Sequence, residues 1–213
     1  MQILNLHLKY ARFVTVAKPS FLFRVFLVGA ALLVQGVAAQ QSSPAHELVL
    51  QLDQGKSVAN ITLTGNFHSV EGSFLLKRGM LRYDATSGRV NGEIVFDSAS
   101  GKTGNDSRDK KMHKDVLESA HFPEISFRAD HADGMLAISG DSTLEVHGFF
   151  SIHGAAHEIT LPVQISVRGD NWSAKSSFVI PYAKWGMKNP SVLFLRVSSE
   201  VTVEFRAAGS LTR

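Results

Sequence analysis

Nine histidines and no cysteine set the first limits on chemistry in this 213-residue chain. Without cysteine there is no disulfide scaffold, no thiolate zinc site, no cysteine nucleophile and no lipidated N-terminal cysteine. His147, His153 and His157 fall near one predicted hairpin, with His153 and His157 flanking its turn. A cross-strand histidine pair holds a metal only with a third ligand and an outer shell that fixes the ring tautomers. The plainer reading is a set of polar-face and turn histidines. His46-Glu47 and His157-Glu158 both lack a second histidine three residues on, so neither forms a zincin helix. There is no Gly-x-Ser-x-Gly elbow, phosphate loop or dinucleotide fingerprint. The expectation is a protein that is not an enzyme, with no metal and no cofactor.

Two charged features need weighing. Arg108-Asp109 would grip a ligand head group at a pocket mouth, or would mark a helix start, where the dipole favours Asp109. Lys110, Lys111 and Lys114 form either a solvated helix face or a contact to an anionic head group or lipid surface. The net charge of +3 does not favour nucleic acid. Residues 1–39 hold four basic residues and no acid, leaving 18 basic against 19 acidic residues in the remainder. That body lacks the concentration of cations that phosphate binding needs.

The aromatics carry more information. Phenylalanine supplies 14 of the 19, so the interior has few hydrogen-bonding aromatic tips. Phe67, Phe74, Phe96, Phe127, Phe150, Phe178 and Phe205 are spread over separate predicted strands. They form either a filled core or the wall of a cavity. A barrel of about eight strands is wide enough for either. An apolar cavity would take up a hydrocarbon by burial alone, at about 0.8 kcal/mol per methylene.

The elements that position these residues are strands. From His46 on, apolar and polar residues alternate with period two. Leu144, Val146 and Phe150 share a face, as do Leu161 and Val163, and Val201, Val203 and Phe205. Ile94 and Phe96 face away from Glu93 and Asp97, and Ile125 and Phe127 face away from Ser126 and Arg128. Turn signals at Asp53-Gln-Gly55, Thr86-Ser-Gly88, Asp133-Gly134, His153-Gly154 and Arg168–Asn171 separate eight or nine strands. The pattern predicts an all-β fold, a sandwich or closed antiparallel barrel with one wet face. One segment differs. Asn105–Glu118 has helical spacing, with Met112 and Val116 on one stripe and Asn105 or Asp106 as its cap, and Pro123 returns the chain to extended form. This predicts a single short helix covering one end of a barrel.

Residues 1–39 read as an export signal. Basic residues precede an apolar run from Val25 to Val34, and Val37-Ala38-Ala39 suits cleavage after Ala39. The run is short for a membrane span, though an uncleaved anchor is the alternative. Residues 40–45 form a linker, and residues 46–208 the folded domain.

Four stretches together resemble the YceI-like family of lipid- and polyisoprenoid-binding proteins. They are Phe67–Phe74, Thr103–Asp109 followed by His121–Phe127, Phe149–Leu161 and Val197–Phe205. The most specific is Thr103-Gly-Asn-x-x-Arg-Asp109, similar to the family's Gly-Asn-x-x-Arg-Asp before a short helix. The family often carries histidine two residues after that pair; here Lys111 stands there and His113 follows two later.

The resemblance implies a lipocalin-like antiparallel barrel holding an isoprenoid chain, quinone or other amphiphile. By position it makes Asn105, Arg108 and Asp109 candidates for ordering the mouth, either on a ligand head or on the loop itself. The wall candidates rest on alternation: Phe67, Phe74, Ile94, Phe96, Ile125, Phe127, Leu144, Val146, Phe150, Leu161, Val163, Phe178, Val201, Val203 and Phe205. The expected function is a periplasmic or secreted, non-catalytic carrier of a polyprenol or related lipid. A structural or stress-protective module with a filled core and a histidine-based metal enzyme are its rivals. A transient membrane contact and a homodimer complete the expectations on partners, with no nucleic acid among them.

Overall fold

The computed structural model describes residues 47–213. The expected signal segment, its cleavage after Ala39 and the linker at 40–45 lie outside the described residues. Strands β1 (Glu47–Leu52), β2 (Val58–Thr64), β3 (Ser69–Asp84), β4 (Arg89–Asp97), β5 (Glu124–Asp133), β6 (Gly140–Ile152), β7 (Ala155–Arg168), β8 (Asn171–Ile180) and β9 (Val201–Thr212) form one antiparallel sheet. Helix α1 (Asp106–Lys111) lies between β4 and β5.

The nine segments make eight staves. β1 pairs with the second half of β3 and the end of β9, while β2 pairs with the first half of β3 and the start of β9. They are one stave, interrupted at Asp53–Ser57, where the Asp53 side chain accepts from the Gly55 amide at 2.8 Å. The β3–β4 pairing closes the cylinder. Closure gives every stave two neighbours and leaves no open edge to recruit another chain.

The pleat turns one set of side chains inward. Phe150, Leu144 and Val146 of β6 and Leu161 and Ile165 of β7 are buried, while Glu145, Thr160, Pro162 and Gln164 are exposed. Gly148 keeps the inward face of β6 open to its neighbour, since a Cβ there would stand 2.3 Å from the Arg128 carbonyl oxygen. The β6–β7 hairpin turns through His153 and Gly154, both at positive φ (51° and 77°), as a two-residue hairpin turn requires.

Antiparallel order sorts the connections to two ends. The β3–β4, β5–β6 and β7–β8 hairpins lie at one end. The β2–β3 turn, the β4–β5 connection with α1, the β6–β7 turn and the long β8–β9 connection lie at the other. The helix begins as the sequence predicts, with the Asn105 side chain accepting from the Arg108 amide at 3.0 Å. Past Lys111 it loosens into a π turn over Met112–Val116, closed by the Leu117 amide on the Met112 carbonyl at 2.9 Å. The wider turn sets Met112, Val116 and Leu117 together over the barrel end.

Candidate ligand-binding cavity

The barrel is hollow. A cavity of about 540 Å³ runs between its two ends, within the ~300–1,000 Å³ range of sites that hold one small ligand. Its floor is made by Tyr83, Leu136 and Trp172 beside the hairpin end. Their polar atoms are turned to the backbone: Trp172 Nε1 donates to the Ser210 carbonyl at 3.0 Å, and the Tyr83 hydroxyl accepts from the Leu136 amide at 3.5 Å. The floor therefore offers carbon.

Fourteen of the fifteen wall candidates border this space. They are Phe74 on β3, Ile94 and Phe96 on β4, Ile125 and Phe127 on β5, and Leu144, Val146 and Phe150 on β6. Leu161 and Val163 on β7, Phe178 on β8, and Val201, Val203 and Phe205 on β9 complete the set. The phenylalanines meet edge to face, Phe96 with Phe205 at 5.7 Å and Phe150 with Phe178 at 6.2 Å, an arrangement that fixes the rings.

Phe67 is the exception and is corrected. Strand β2 ends at Thr64, and the Gly65 amide bonds the His68 carbonyl at 3.1 Å. That turn carries Phe67 out of the ladder, so alternation no longer governs it, and its side chain is 72% exposed.

Several lining residues escaped the sequence reading. Trp172, Ala174 and Ser176 share the parity of Phe178 and were findable from it. Leu81 and Tyr83 were not, because a bulge between Leu76 and Arg78 shifts β3 by one residue and swaps its inward face from even to odd positions. Met187 and Pro190 come from the β8–β9 connection, where no period marks them.

Polar lining is concentrated at the helix end, in Thr103, Ser107, Arg108 and Lys111. The predicted mouth trio splits there. Arg108 borders the cavity; Asn105 and Asp109 do not. Asn105 caps the helix. Asp109 is buried, accepting from the Thr103 hydroxyl at 2.6 Å and the Thr103 amide at 2.8 Å. Those bonds, the hydroxyl's first, hold its carboxyl below the usual carboxylate range. Arg108 closes the ring, donating from Nε to the same hydroxyl and from Nη2 to the Thr103 carbonyl, both at 2.8 Å. Lys102, next to Thr103, pairs with Ser73 of β3 through two backbone bonds of 2.9 and 3.0 Å. The Arg-Asp pair thus fastens the helix to the barrel rim.

Lys111 reaches across the mouth, its Nζ donating to the Pro190 carbonyl at 3.4 Å. His113 points elsewhere, with Nε2 on the Gly101 carbonyl at 2.9 Å and Nδ1 on Ser119 Oγ at 3.1 Å. Midway down the wall, Ser176 is buried, and its hydroxyl and His157 Nε2 are the buried side-chain polar atoms without a partner among the described residues.

The three hairpin histidines take separate partners. His147 lies between Asp130 (2.7 Å) and Glu158 (2.9 Å) on the outer face. His153 bonds Glu118 at 3.2 Å and lies against Phe122. His157 stacks on Trp185 at 3.9 Å. No group of three metal-ligating side chains forms among the described residues.

The same architecture occurs in solved structures. Burkholderia cenocepacia BcnA matches at a TM-score of 0.60 with 19% identity, covering 74% of this chain and 99% of its own. A polyisoprenoid binding domain from Saccharophagus degradans, implicated in plant cell wall breakdown, matches at 0.60 with 17% identity, over 79% and 99% of the two chains. A Campylobacter jejuni YceI protein matches at 0.50 with 14% identity, over 70% and 85%. No curated protein gives a significant match. The model of the YceI-like domain matches residues 44–208. On that match and this barrel, the chain belongs to the YceI-like domain family.

Proposed function

We propose that the protein is an exported, non-catalytic carrier that holds a long-chain isoprenoid-type lipid, a polyprenol or isoprenoid quinone, in its barrel. The observation that carries this reading is the cavity: carbon-lined from Trp172 to Phe74, with its charged lining gathered at the helix end. Such a gradient matches a ligand with a long apolar tail and a polar head. Burying ten methylene equivalents would supply about 8 kcal/mol, the free energy of a micromolar complex, before ordering costs. The Saccharophagus degradans relative, named as a polyisoprenoid binding domain, supports the ligand class. Export rests on the signal-like residues 1–39. A filled-core module has no use for the cavity, and a histidine-based metal enzyme needs imidazoles that converge.

A titration of the delipidated protein with a long-chain polyprenol, read by thermal unfolding, tests the reading. At a hundredfold excess over Kd, binding adds about 2.7 kcal/mol. That raises the midpoint by roughly 5–11 °C in a domain of this size. A short-chain prenol at equal concentration should give a much smaller shift. Absence of any shift with polyprenols and quinones would overturn the proposal.

A further inference from the structure

At the helix end, the β8–β9 connection projects an apolar tip. Leu193 and Phe194 are 89% and 84% exposed, and Val192 and Leu195 beside them are also exposed. The tip is held by its backbone: Val192 and Leu195 exchange amide–carbonyl bonds of 3.0 and 2.8 Å, leaving the two residues between them at the turn. Phe67 stands on the adjacent β2–β3 turn. Asn66 ties the two turns together, with its Nδ2 donating to the Phe194 carbonyl at 2.9 Å and its amide to the Arg196 carbonyl at 3.0 Å. Two secured turns therefore present three large apolar side chains to solvent beside the cavity mouth. Exposed apolar groups gathered this way mark an interaction surface.

The charge around the tip selects the partner. The connections forming this end (residues 65–68, 98–123, 153–154 and 181–200) carry eight basic residues against five acidic ones. The remainder of residues 46–213 carries ten basic against fourteen acidic. Lys102, Lys110, Lys114, Lys184, Lys188 and Arg196 are exposed. Of the acids, Asp109 is bonded to Thr103 and Glu118 to His153, while Asp106, Asp115 and Glu200 reduce but do not cancel the excess. The opposite end also exposes Met135 and Ile138, but there Arg168 pairs with Asp141 and Arg213 with Asp170, and Asp84 and Asp133 outnumber Arg89, so no basic excess surrounds them.

We propose that the helix end of the barrel is a docking surface for an anionic lipid bilayer, with Leu193, Phe194 and Phe67 entering the head-group boundary and the surrounding lysines facing lipid phosphates. Docked this way, the cavity mouth opens onto the membrane, so a lipid tail passes between bilayer and barrel with little exposure to water. The proposal takes its purpose from the carrier reading and its evidence from the surface, and it is tested without cargo.

The test is vesicle co-sedimentation of the protein recovered after export, using phosphatidylcholine vesicles and vesicles mixed with phosphatidylglycerol. The parent should bind the mixed vesicles in preference, and high salt should weaken that binding. Combining Leu193→Ser with Phe194→Ser, both at exposed positions, should weaken it about tenfold or more. Any N-terminal segment is common to both proteins, so the difference reads the tip. Equal binding to both vesicle types, or a variant that binds like the parent, would overturn the proposal. So would a parent dimer that the double substitution converts to monomer, since the tip would then belong to a second copy. Because polyprenol titration reads the cavity alone, failure here and failure of the carrier reading are distinguishable.

Discussion

Filling the barrel should stabilise it, and the sign of that effect is informative. Ala174 lies on β8 between Trp172 and Ser176, faces the cavity, and pairs with Ile165 and Ala207. Ala174→Leu adds three carbon atoms to space that is now empty. At about 0.8 kcal/mol per carbon the gain is about 2.4 kcal/mol, reduced by ~0.5–1 kcal/mol for the fixed leucine rotamer. The delipidated variant should therefore unfold about 3–8 °C higher. Its midpoint shift on adding polyprenol should fall sharply, because the leucine occupies the path of the tail. A packed interior predicts the reverse, since inserting methylenes into a filled core costs about 1–3 kcal/mol. Differential scanning calorimetry on delipidated protein decides between them. A lower midpoint for Ala174→Leu would refute the reasoning that the barrel is open at this position.

Other substitutions test other parts of the account. Ser176→Ala removes a buried hydroxyl without a partner and should raise the stability of the empty protein by about 1 kcal/mol; unchanged denaturant midpoints would show that the hydroxyl is hydrated. Gly101→Ala places a Cβ 2.6 Å from the Phe74 ring and 2.8 Å from Met112 Cε. It should cost about 1–3 kcal/mol of stability and loosen the helix, read as faster amide exchange over Asp106–Val116. Glu124 is held to a pKa of about 2, chiefly by the Arg78 hydrogen bonds and then by Lys77. A lowered folded pKa means that its contribution is present above the ordinary value of 4.5 and fades as pH falls towards 2. The stability difference between parent and Glu124→Gln should shrink over that window. The His147 pKa is raised, first by Asp130 and then by Glu158, so its contribution is complete below pH 6.5 and is lost as pH rises through the folded value. An NMR titration should find its midpoint above 6.5, and unfolding of His147→Gln should lack that pH dependence.

Where strands run without interruption, the sequence shows both the fold and its inner face. β6, β7 and β9 keep one parity from end to end, so Leu144, Leu161 and Val203 are placed correctly by counting alone. β3 and β5 each contain a register shift, and after it the same counting selects the wrong face. Tyr83 and Ala132 are missed for that reason. Phe67 fails at the other boundary, just past the end of a ladder. The N-cap of α1 is legible in Asn105, because a side-chain oxygen at that position meets free amides. The π turn has no such local signature. The family motif brings Arg108 and Asp109 to the mouth, but only coordinates show that Thr103 occupies their polar atoms. The β8–β9 connection is the least legible part, since Met187, Pro190 and Phe194 follow no period.

The central claim is that the cavity carries a lipid, and native mass spectrometry of the purified protein, followed by solvent extraction, tests it most directly. The account predicts a stoichiometric mass adduct that extracts as an isoprenoid alcohol or quinone and diminishes in Ala174→Leu. A protein that is empty as recovered and remains empty after incubation with polyprenols and quinones would contradict it.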